Sequence, residues 1–587
     1  MVLHHPLKQD ILRAENVGGS PLQGLHPLLQ RLYGNRGVDD SSQLDLSLKR
    51  LPDPQGLSGM EAMTEILVDA ILEQKRVLII GDYDADGATA TAVAILGFKA
   101  LGLRHVDYLV PNRFEYGYGL TPEIVALAAE RHPDVLLTVD NGISSHDGVE
   151  AARKRGIKVL ITDHHLPGDT LPDADAIVNP NLPDDHFPSK ALSGVGVLFY
   201  VLLGLRQKLR ARNFFSDTAH PEPQLGQFLD LVALGTVADV VSLDQTNRIL
   251  VAQGLRRIQS GHAQPGIRAL IEVAGKSAGD LSAQDLGFTL GPRLNAAGRL
   301  DDMALGIECL IAPSEEIARP MAEALSTLNQ ERRVIEHQMR QEALKQTEDL
   351  SKLWDDKPVI CLFEENWHQG VVGIVASRIK DRTHKPVIAF AINDLNPEEL
   401  KGSARSIPGV HIRDVLADIA TRHPELISRY GGHALAAGLS LPRSHLSRFI
   451  EAIQEEMRRR GDDAVTGMIL RTDGALSSNE LSLPTAELIH QAGPWGQGFP
   501  EPLFDGRFEV LDQRIVGERH LKLTLRPDGG SGSIDAIAFN LDNPGAWLRC
   551  RTLRAVYRLD VNLFRGRKSA QLRIEYMEGH LPQPQSF

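Results

Sequence analysis

The sequence reads Val77-Leu-Ile-Ile-Gly81-Asp82-Tyr83-Asp84-Ala85-Asp86-Gly87, an apolar run that leads directly into an acidic loop. A short apolar run bounded in this way predicts a buried strand, and the residues after the loop, 88–101, predict a helix. The same alternation continues, with apolar runs at 106–110, 135–139 and 157–161 and helical segments at 121–131 and 146–155. Strands that alternate with helices predict βαβ units and a parallel sheet, so we expect an α/β fold.

The acids of this loop, Asp82, Asp84 and Asp86, occupy alternating positions. In an extended chain alternating residues share one face, and three carboxylates on one face repel each other unless a proton or a cation compensates. A hard divalent metal ion is the simplest compensation. The alternative is an acidic turn that caps the following helix, because helix starts favour Asp.

Two more predicted strands and one apolar stretch also end in metal-ligating residue types. The strand at 135–139 runs into Asp140, and the strand at 157–161 runs into Asp163-His164-His165. The apolar stretch at 233–238, which follows an apolar helix near 228–232, runs into Asp239. The carboxyl ends of parallel strands meet at one edge of a sheet, where ligands bind. We therefore expect these side chains to share one crevice.

The side chains of this crevice are carboxylates and imidazoles, without a thiolate. Such a set favours Mn²⁺ or Mg²⁺ over zinc. Four or five acids with one or two histidines can hold two ions, and two neighbouring ions suit the hydrolysis of phosphodiesters or phosphoanhydrides. The sequence has neither a Cys/His ligand set nor a nucleophile elbow, which argues against a zinc or Ser-His hydrolase.

The remaining regions differ in periodicity and composition. We expect a helical lead-in over residues 1–70, before an α/β region at 71–315. A charged, strongly helical segment at 316–352 predicts a connecting helix, and a second, smaller α/β region follows at 353–462. Five short strands separated by turns at 463–587 predict a small β-barrel, for which the OB-fold is the natural candidate.

Basic residues are concentrated near the C-terminus of the chain. The chain has 63 basic and 76 acidic side chains, a net charge of −13, which argues against a protein that coats nucleic acid by bulk charge. Residues 549–573, in contrast, are rich in Arg and Lys with aromatic rings between them. This stretch is either a single-strand binding surface or a solvated barrel face. Its candidate residues are Arg551, Arg554, Arg558, Arg565, Lys568, Tyr557 and Phe564.

The cysteine content and the N-terminus bear on the compartment. Three dispersed cysteines in 587 residues form neither a disulfide framework nor a zinc site, which favours a reducing compartment. Residues 1–16 lack the apolar core of an export signal, and the longest uncharged run, at 191–205, is shorter than a membrane span. We expect a cytoplasmic protein without membrane association.

Taken in order, these motifs resemble the DHH phosphoesterase family, whose name comes from Asp163-His164-His165. The resemblance extends over nearly the whole chain and is closest to the branch of single-strand-specific 5′→3′ DNA exonucleases. Further matching motifs lie at 291–299, 367–377, 402–406, 429–433 and 498–504. The resemblance implies a DHH-type parallel-sheet domain joined by a long helix to a smaller α/β DHHA1 domain, followed by an OB-like β-barrel.

The resemblance also implies a role for each residue in the crevice. The core metal ligands would be Asp84, Asp86, Asp140, His164 and Asp239. Asp82 would be a further ligand or an acid that orients water. His165 would contact the scissile phosphate, and Asp163 would hold His164 in its ligating tautomer.

Contacts with the substrate follow from the same resemblance. Arg113, and Arg299 with Asn295 nearby, would contact the nucleic-acid backbone. From the DHHA1 domain, Ser403 and Arg405 would bind the terminal 5′ phosphate, and His433 would face the cleft.

The resemblance implies an exonuclease that uses Mn²⁺ or Mg²⁺, two ions per site, and degrades single-stranded DNA 5′→3′ to 5′ mononucleotides in recombination and repair. It also implies a monomer that works with a single-strand-binding protein and a RecQ-type helicase. One alternative is a DHH enzyme that hydrolyses short oligonucleotides, cyclic dinucleotides or pyrophosphate, which would not need the basic stretch at 549–573. Another is a non-catalytic DNA-binding scaffold, for which we would expect ligands to be missing, whereas every expected acid is present.

Overall fold

A computed structural model describes residues 2–5, 10–14, 22, 24–111, 119–216, 221–349, 357–461, 469–541 and 543–580. The chain folds into two compact units. The larger unit comprises residues 46–465 with 496–498, and the smaller unit comprises residues 1–45, 466–495 and 499–587.

A five-stranded parallel sheet forms the first half of the larger unit. Its spatial order is Val106–Leu109, Val77–Ile80, Val135–Val139, Lys158–Thr162 and Ala176–Val178. In chain order this is 2-1-3-4-5, so the winding of the chain reverses between the first and third strands, where a ligand crevice is expected. Four of these strands are those that the sequence predicts. The fifth has three residues, too few to show a period.

Helices enclose this sheet and bury a contiguous apolar core. They are Met60–Leu72, Ala85–Ala100, Pro122–Ala129, His146–Arg153, Gly194–Ala211, Leu229–Ala238, Gln245–Gln259, Pro265–Val273, Gly291–Leu300 and Ala304–Ile311. Small residues allow the closest helix contacts: a Cβ on Gly254 would lie 2.1 Å from the carbonyl oxygen of Leu229. Within the described residues, no helix is long and apolar enough to cross a membrane.

A single helix of 35 residues, Glu315–Asp349, links this sheet to a second one. Near its start, the Cys309 sulfur lies 3.7 Å from the Ala318 carbonyl oxygen. Near its end, Met339 and Ala343 are buried in the apolar core of the second sheet. The long connecting helix that the sequence predicts at 316–352 is therefore present, and residues 350–352 lie outside the described part.

The second sheet has five strands and mixed directions. Its order is Arg429–Gly432, Ala436–Pro442, Asn396–Arg405, Val387–Asn393 and Ile360–Phe363, with only the last pair parallel. The helix Val372–Thr383 covers one face, and the helices Ile412–Arg422 and Leu446–Arg460 cover the other. This region is the smaller α/β domain that the sequence predicts.

The smaller unit contains a five-stranded barrel. Its strands are Phe504–Val516, His520–Pro527, Ile534–Ala538, Thr552–Phe564 and Arg567–His580, and the last pairs with both its neighbours to close the ring. The helices Pro27–Gly34 and Leu483–Gln491 belong to the same unit. All five predicted strands are present.

The expectation of a helical lead-in over residues 1–70 is wrong at its beginning. Val2–His5 is a strand paired with the last barrel strand, and Asp10–Arg13 is a strand paired in parallel with Ile469–Thr472. These strands form because they complete the edges of sheets whose other strands lie more than 400 residues away. Each has four residues and mixes polar with apolar side chains, so its own sequence carries little strand signal.

Candidate metal centre and substrate cleft

The acidic loop lies at the carboxyl end of the strand Val77–Ile80, beside the point where the winding of the chain reverses. Its last acid, Asp86, is fully buried and accepts hydrogen bonds from the backbone N–H groups of Gly194 (2.6 Å) and Val195 (3.0 Å). Asp84 caps the helix Ala85–Ala100 by accepting from the Gly87 N–H at 3.0 Å. The loop thus combines the helix cap and the acid cluster that the sequence offered as alternatives.

The neighbouring strand ends bring two more ligand types to this loop. Asp140 lies in the left-handed region (φ 63°), which Asp tolerates, so its carboxylate turns inward directly after the strand. His164 Nε2 lies 3.1 Å from Asp140 Oδ1 and 3.5 Å from Asp239 Oδ2. The crevice that the sequence predicts therefore exists.

The side chains form three overlapping groups whose ligand atoms lie within 4.8 Å of one another. These groups are Asp140, His164 and His165; Asp86, His164 and Asp239; and Asp82, Asp84 and Asp140. Shared members join the three groups into one cluster. The predicted ligands Asp84, Asp86, Asp140, His164 and Asp239 all belong to it.

Burial makes this cluster unfavourable to ionise without a counter-charge. Burial and the nearby Asp84 raise the pKa of Asp86 from 3.8 to about 7. Burial, followed by the charges of the neighbouring acids, likewise raises the pKa of Asp140 and of Asp239 well above the usual range. Burial lowers the pKa of His164 to about 4, so its imidazole is neutral and able to ligate at neutral pH.

The hydrogen bonding of His164 fits a metal ligand. Its ring bonds the backbone of Leu192, while Nε2 is buried among carboxylates and forms no hydrogen bond. A buried ring nitrogen that faces only acceptors needs a proton or a cation between them. Oxygen donors with one imidazole are the ligands of hard divalent cations, so the residues fit Mn²⁺ or Mg²⁺.

The expectation that Asp163 orients the ring of His164 is wrong. Asp163 Oδ1 instead bonds the Nδ1 of His165 at 2.7 Å and accepts the backbone N–H groups of both histidines. Burial opposes ionisation of Asp163, but the His165 hydrogen bond and charge hold its pKa below the usual value. Burial also opposes the charge on His165, yet the hydrogen bond and charge of Asp163 raise its pKa. The contact between Asp163 and His165 therefore favours the charged form of each group.

Removal of metal should make the stability of the protein fall as pH rises. The pKa of Asp86 is raised in the folded state, so the metal-free fold binds a proton that the unfolded chain has released. That stabilisation is complete below about pH 4 and is lost as pH rises through about 7. In EDTA we expect the thermal midpoint to decline between about pH 5 and pH 8. Saturating Mn²⁺ should abolish this decline, and an equal decline with metal would contradict the ligand assignment.

The helix Gly291–Leu300 packs against the acidic loop. The Asn295 side-chain oxygen accepts the Ala85 N–H at 2.8 Å, and a Cβ on Gly298 would lie 1.8 Å from the Tyr83 carbonyl oxygen. Asn295 thus holds the backbone of the acidic loop in place. Arg299 donates to the Gly370 carbonyl oxygen at 3.2 Å, which ties this helix to the loop before the helix Val372–Thr383 of the second domain. Arg113 lies outside the described residues.

The second sheet contributes a polar pocket and a histidine. The Arg405 guanidinium donates to Ser403 Oγ at 3.0 Å, and both side chains lie against Gly373, where a Cβ would be 2.9 Å from either. Gly373 belongs to the first turn of the helix Val372–Thr383, which has no side-chain cap. The His433 ring stacks against His165 with centroids 6.2 Å apart. Residues of both domains thus meet at this cleft.

The residues of the basic stretch at 549–573 lie in different environments on the barrel, some buried, some ion-paired and some exposed. Tyr557 is not a surface ring: it is buried in the barrel against Phe504 and Phe508, because the strand alternates and places it inward. Arg558 pairs with Glu501 and Glu575. The exposed residues cluster at the turn between the last two strands, where Phe564, Arg565 and Lys568 lie. Arg551 is exposed and Arg554 half-buried on the barrel wall.

Several supporting residues escape prediction from motifs. Asn181 donates to the His164 carbonyl oxygen at 2.6 Å, and Asn179 to that of His165 at 2.8 Å. Both asparagines follow the strand Ala176–Val178, whose carboxyl end lies at the same edge of the sheet. Recognition of this fifth strand in the sequence would have pointed to them. Gly194 and Val195, which bind Asp86, begin a glycine-containing helix, and a Cβ on Gly194 would lie 2.5 Å from that of Asp140.

Comparisons with known proteins match the domains of this chain. Residues 76–236 match the DHH family N-terminal domain, 356–459 the DHHA1 domain and 472–576 the RecJ OB domain. The single-stranded-DNA-specific exonuclease RecJ of Dickeya dadantii is 52% identical over 557 residues, covering 94% of this chain and 96% of that protein.

Two solved structures of RecJ from Thermus thermophilus are also similar. The complex with Mn²⁺ is 29% identical with a TM-score of 0.78, covering 96% of this chain and 77% of that one. The complex with Mg²⁺ is 28% identical with a TM-score of 0.72, covering 96% and 75%. With its DHH, DHHA1 and OB domains in this order, the chain belongs to the RecJ family of single-stranded-DNA-specific exonucleases.

Proposed function

We propose that the chain is a divalent-metal-dependent hydrolase that degrades single-stranded DNA from its 5′ end to 5′ mononucleotides, in recombination and repair. The observation that carries this proposal is the buried cluster of five aspartates and His164 at the edge of the parallel sheet. A polar pocket in the second domain and the cluster in the first lie in the same compact unit. The pocket would bind the terminal phosphate, and the cluster would hold the metal ions at the phosphodiester bond that is hydrolysed.

The cluster is suited to two ions. Asp84, Asp86, Asp140, His164 and Asp239 would hold them, with Asp82 as a further ligand or an acceptor for water. Two bound ions supply an activated water and charge stabilisation on the phosphoryl oxygens. His165, whose Nδ1 contacts Asp163, would donate a hydrogen bond from Nε2 to a phosphate oxygen when its ring is protonated.

The second domain would define the polarity of cleavage. Ser403 and Arg405 present a hydroxyl and a guanidinium beside the start of an uncapped helix. Helix N-termini and arginine both favour phosphate groups. A terminal 5′ phosphate held there would let the enzyme measure one nucleotide from the end of a strand. Arg299 and His433 lie along the same cleft, and Asn295 keeps the acidic loop in position.

The barrel would add contacts to the DNA strand through its exposed turn. Phe564 is 64% exposed, and the Arg565 guanidinium lies 5.2 Å from its ring centroid. Stacking of a base on an aromatic ring contributes about 1–3 kcal/mol. Replacing Phe564 by alanine should therefore weaken single-strand binding about tenfold, as measured by fluorescence anisotropy in EDTA.

The matched control for this variant is Phe539→Ala. Phe539 is 44% exposed on the same barrel but packs edge-on against His520, so we expect its loss to leave DNA affinity within about twofold. Equal effects of the two substitutions would show that the exposed turn has no special role. Because the measurement excludes metal, cleavage does not affect it.

The test of the function uses the purified full chain with Mn²⁺ and a 3′-labelled single strand. A blunt duplex, an EDTA reaction and an Asp140→Asn variant run beside it. Stepwise shortening from the 5′ end of the single strand alone would support the proposal. Degradation of dinucleotides but not of longer strands would instead indicate a small-substrate phosphodiesterase. Binding without cleavage in every reaction would indicate a scaffold.

The family resemblance predicts further properties of this protein. These are cooperation with a single-strand-binding protein and a RecQ-type helicase, action as a monomer, and a cytoplasmic location. They concern partners and compartment rather than the chemistry of the cleft. Each stays a prediction.

A further inference from the structure

A pocket of about 300 Å³ lies on the barrel unit, outside the catalytic cluster. It is lined by Arg13, Asp505, Gly506, Arg507 and Arg554. The strand Phe504–Val516 alternates, so that Phe504 and Phe508 point into the barrel while Asp505 and Arg507 point outward. The pocket therefore opens on the outer wall of the barrel.

Two of its arginines face each other without an acid between them. Arg507 and Arg554 are direct partners in the antiparallel pairing of their strands, which places their Cβ atoms about 4.5–5.5 Å apart. Neither guanidinium forms a hydrogen bond or a close ion pair with the residues that the structure describes, although the charge of Arg554 also acts on Asp505. Like charges in this position are destabilising.

The nearby acids are already engaged. Asp505 accepts the Arg13 guanidinium through Nε (3.0 Å) and Nη2 (2.8 Å), and it also accepts the Thr472 hydroxyl at 2.7 Å. Glu509, next outward on the strand, pairs with Arg526. Glu578, opposite Arg554 on its other side, accepts the Tyr576 hydroxyl at 2.7 Å.

Arg13 adds a third donor group to the pocket. Its side chain is 60% exposed, and its contacts with Asp505 use Nε and Nη2, which leaves Nη1 outside that ion pair. Burial opposes ionisation of Asp505, but the hydrogen bond and charge of Arg13 hold its pKa low. Three guanidinium groups and one carboxylate give the pocket a net charge of about +2 at neutral pH.

We propose that this pocket binds a phosphate group of the DNA strand, with Arg507 and Arg554 as its paired ligands. A guanidinium presents parallel N–H donors that match phosphate oxygens, and an anion between the two arginines removes their repulsion. The proposal rests on the proposed function, because it identifies the ligand as the single strand that the enzyme degrades. The pocket would add a contact with the DNA sugar-phosphate backbone to the contact that Phe564 would make with a base.

The test measures binding of a fluorescent single strand to the full chain in EDTA over a range of salt concentrations. Arg507→Gln and Arg554→Gln should each weaken binding about tenfold. The slope of log affinity against log salt should become shallower by about 0.7 for each variant and by about 1.4 for the double variant. With Mn²⁺, the variants should raise the KM of the exonuclease by a larger factor than they lower its kcat.

The control is Arg526→Gln, an exposed arginine on the same barrel that is paired with Glu509. It should leave affinity and salt slope unchanged. The double variant should unfold at the same temperature as the natural protein or higher, because it lacks opposed charges, so loss of binding cannot be ascribed to unfolding. Added single strand should raise its thermal midpoint less than that of the natural protein.

Three other outcomes would overturn the proposal, and a fourth would separate it from the proposed function. If the double variant keeps the natural affinity and slope, the pocket does not hold the strand. If it loses only the stabilisation that inorganic phosphate gives the natural protein, the pocket is a site for free phosphate. If it loses only affinity for an acidic peptide, the pocket is a protein contact. The natural protein could fail the exonuclease test while the arginine variants still weaken binding of the single strand. That result would reject the proposed function but would support the pocket as a DNA-binding site.

Discussion

Replacing Asp140 by asparagine should reduce exonuclease activity by at least about 10³-fold. Asp140 belongs to two of the three groups that can hold a metal, and its Oδ1 lies 3.1 Å from His164 Nε2. An amide keeps the shape but supplies no charge, so a bound ion would lose both affinity and position. Loss of a single preorganised charge partner typically costs about 10²–10³ in rate, and here the ion itself is weakened. Single-turnover cleavage of a 5′-phosphorylated strand measures the effect.

The same variant should be more stable than the natural protein when metal is absent. Burial and the neighbouring acids raise the pKa of Asp140, so removal of its charge relieves repulsion. We expect a higher thermal midpoint in EDTA and a smaller increase on addition of Mn²⁺. Asp147→Asn, at an exposed position in the first turn of a helix and outside the cluster, should change neither activity nor the increase in the thermal midpoint on addition of Mn²⁺. An inactive variant that is destabilised in EDTA would indicate that Asp140 serves the fold rather than the metal.

Replacing Arg405 by alanine should reduce kcat/KM about 30- to 100-fold on strands that carry a 5′ phosphate. The guanidinium and Ser403 Oγ form one pocket against Gly373, and charge-assisted hydrogen bonds contribute about 1.5–3 kcal/mol. On a strand with a 5′ hydroxyl the same substitution should have an effect of only about threefold. Cleavage of the two strands in parallel therefore separates recognition of the terminal phosphate from general loss of activity.

Arg448→Ala is the control for this variant. Arg448 is an exposed arginine of the same domain whose charge is paired with Glu425, and we expect no change with either strand. If Arg405→Ala slows both strands equally, its guanidinium would act on the DNA backbone and not on the terminal phosphate. The polarity of the enzyme would then need another source.

The parallel sheet and the ligand cluster follow from local patterns in the sequence. Buried parallel strands are continuous apolar runs, and their carboxyl ends meet at one edge, so Asp86, Asp140 and His164 can be placed together without knowledge of any distance. The structure confirms this grouping. Short polar strands such as Asp10–Arg13 escape the same reasoning, because they are strands only through partners far away in the chain.

Hydrogen bonds between neighbouring residues were harder to predict than the cluster itself. Asp163 lies next to His164 in sequence, yet its carboxylate turns to the ring of His165. Tyr557 lies among basic residues, yet the strand alternates and buries its ring. In both cases the residue type could be interpreted from the sequence, but the direction in which the side chain points could not. That direction depends on the backbone dihedral angles within one turn or strand.

The connecting helix Glu315–Asp349 couples the distance between the two catalytic domains to the rotation of one relative to the other, because each residue of a helix adds both a rise and a turn. Its 35 residues span about 50 Å, and each added residue would turn everything beyond it by about 100°. Ala318 at one end and Met339 at the other are both buried in their own domains, so neither end can slip to absorb an insertion. Chain length in this helix is therefore constrained in a way that residue identity on its exposed face is not. Insertion of a whole helical turn would restore the rotation but would still lengthen the helix by about 5.4 Å, so rotation and length both limit changes in the number of its residues.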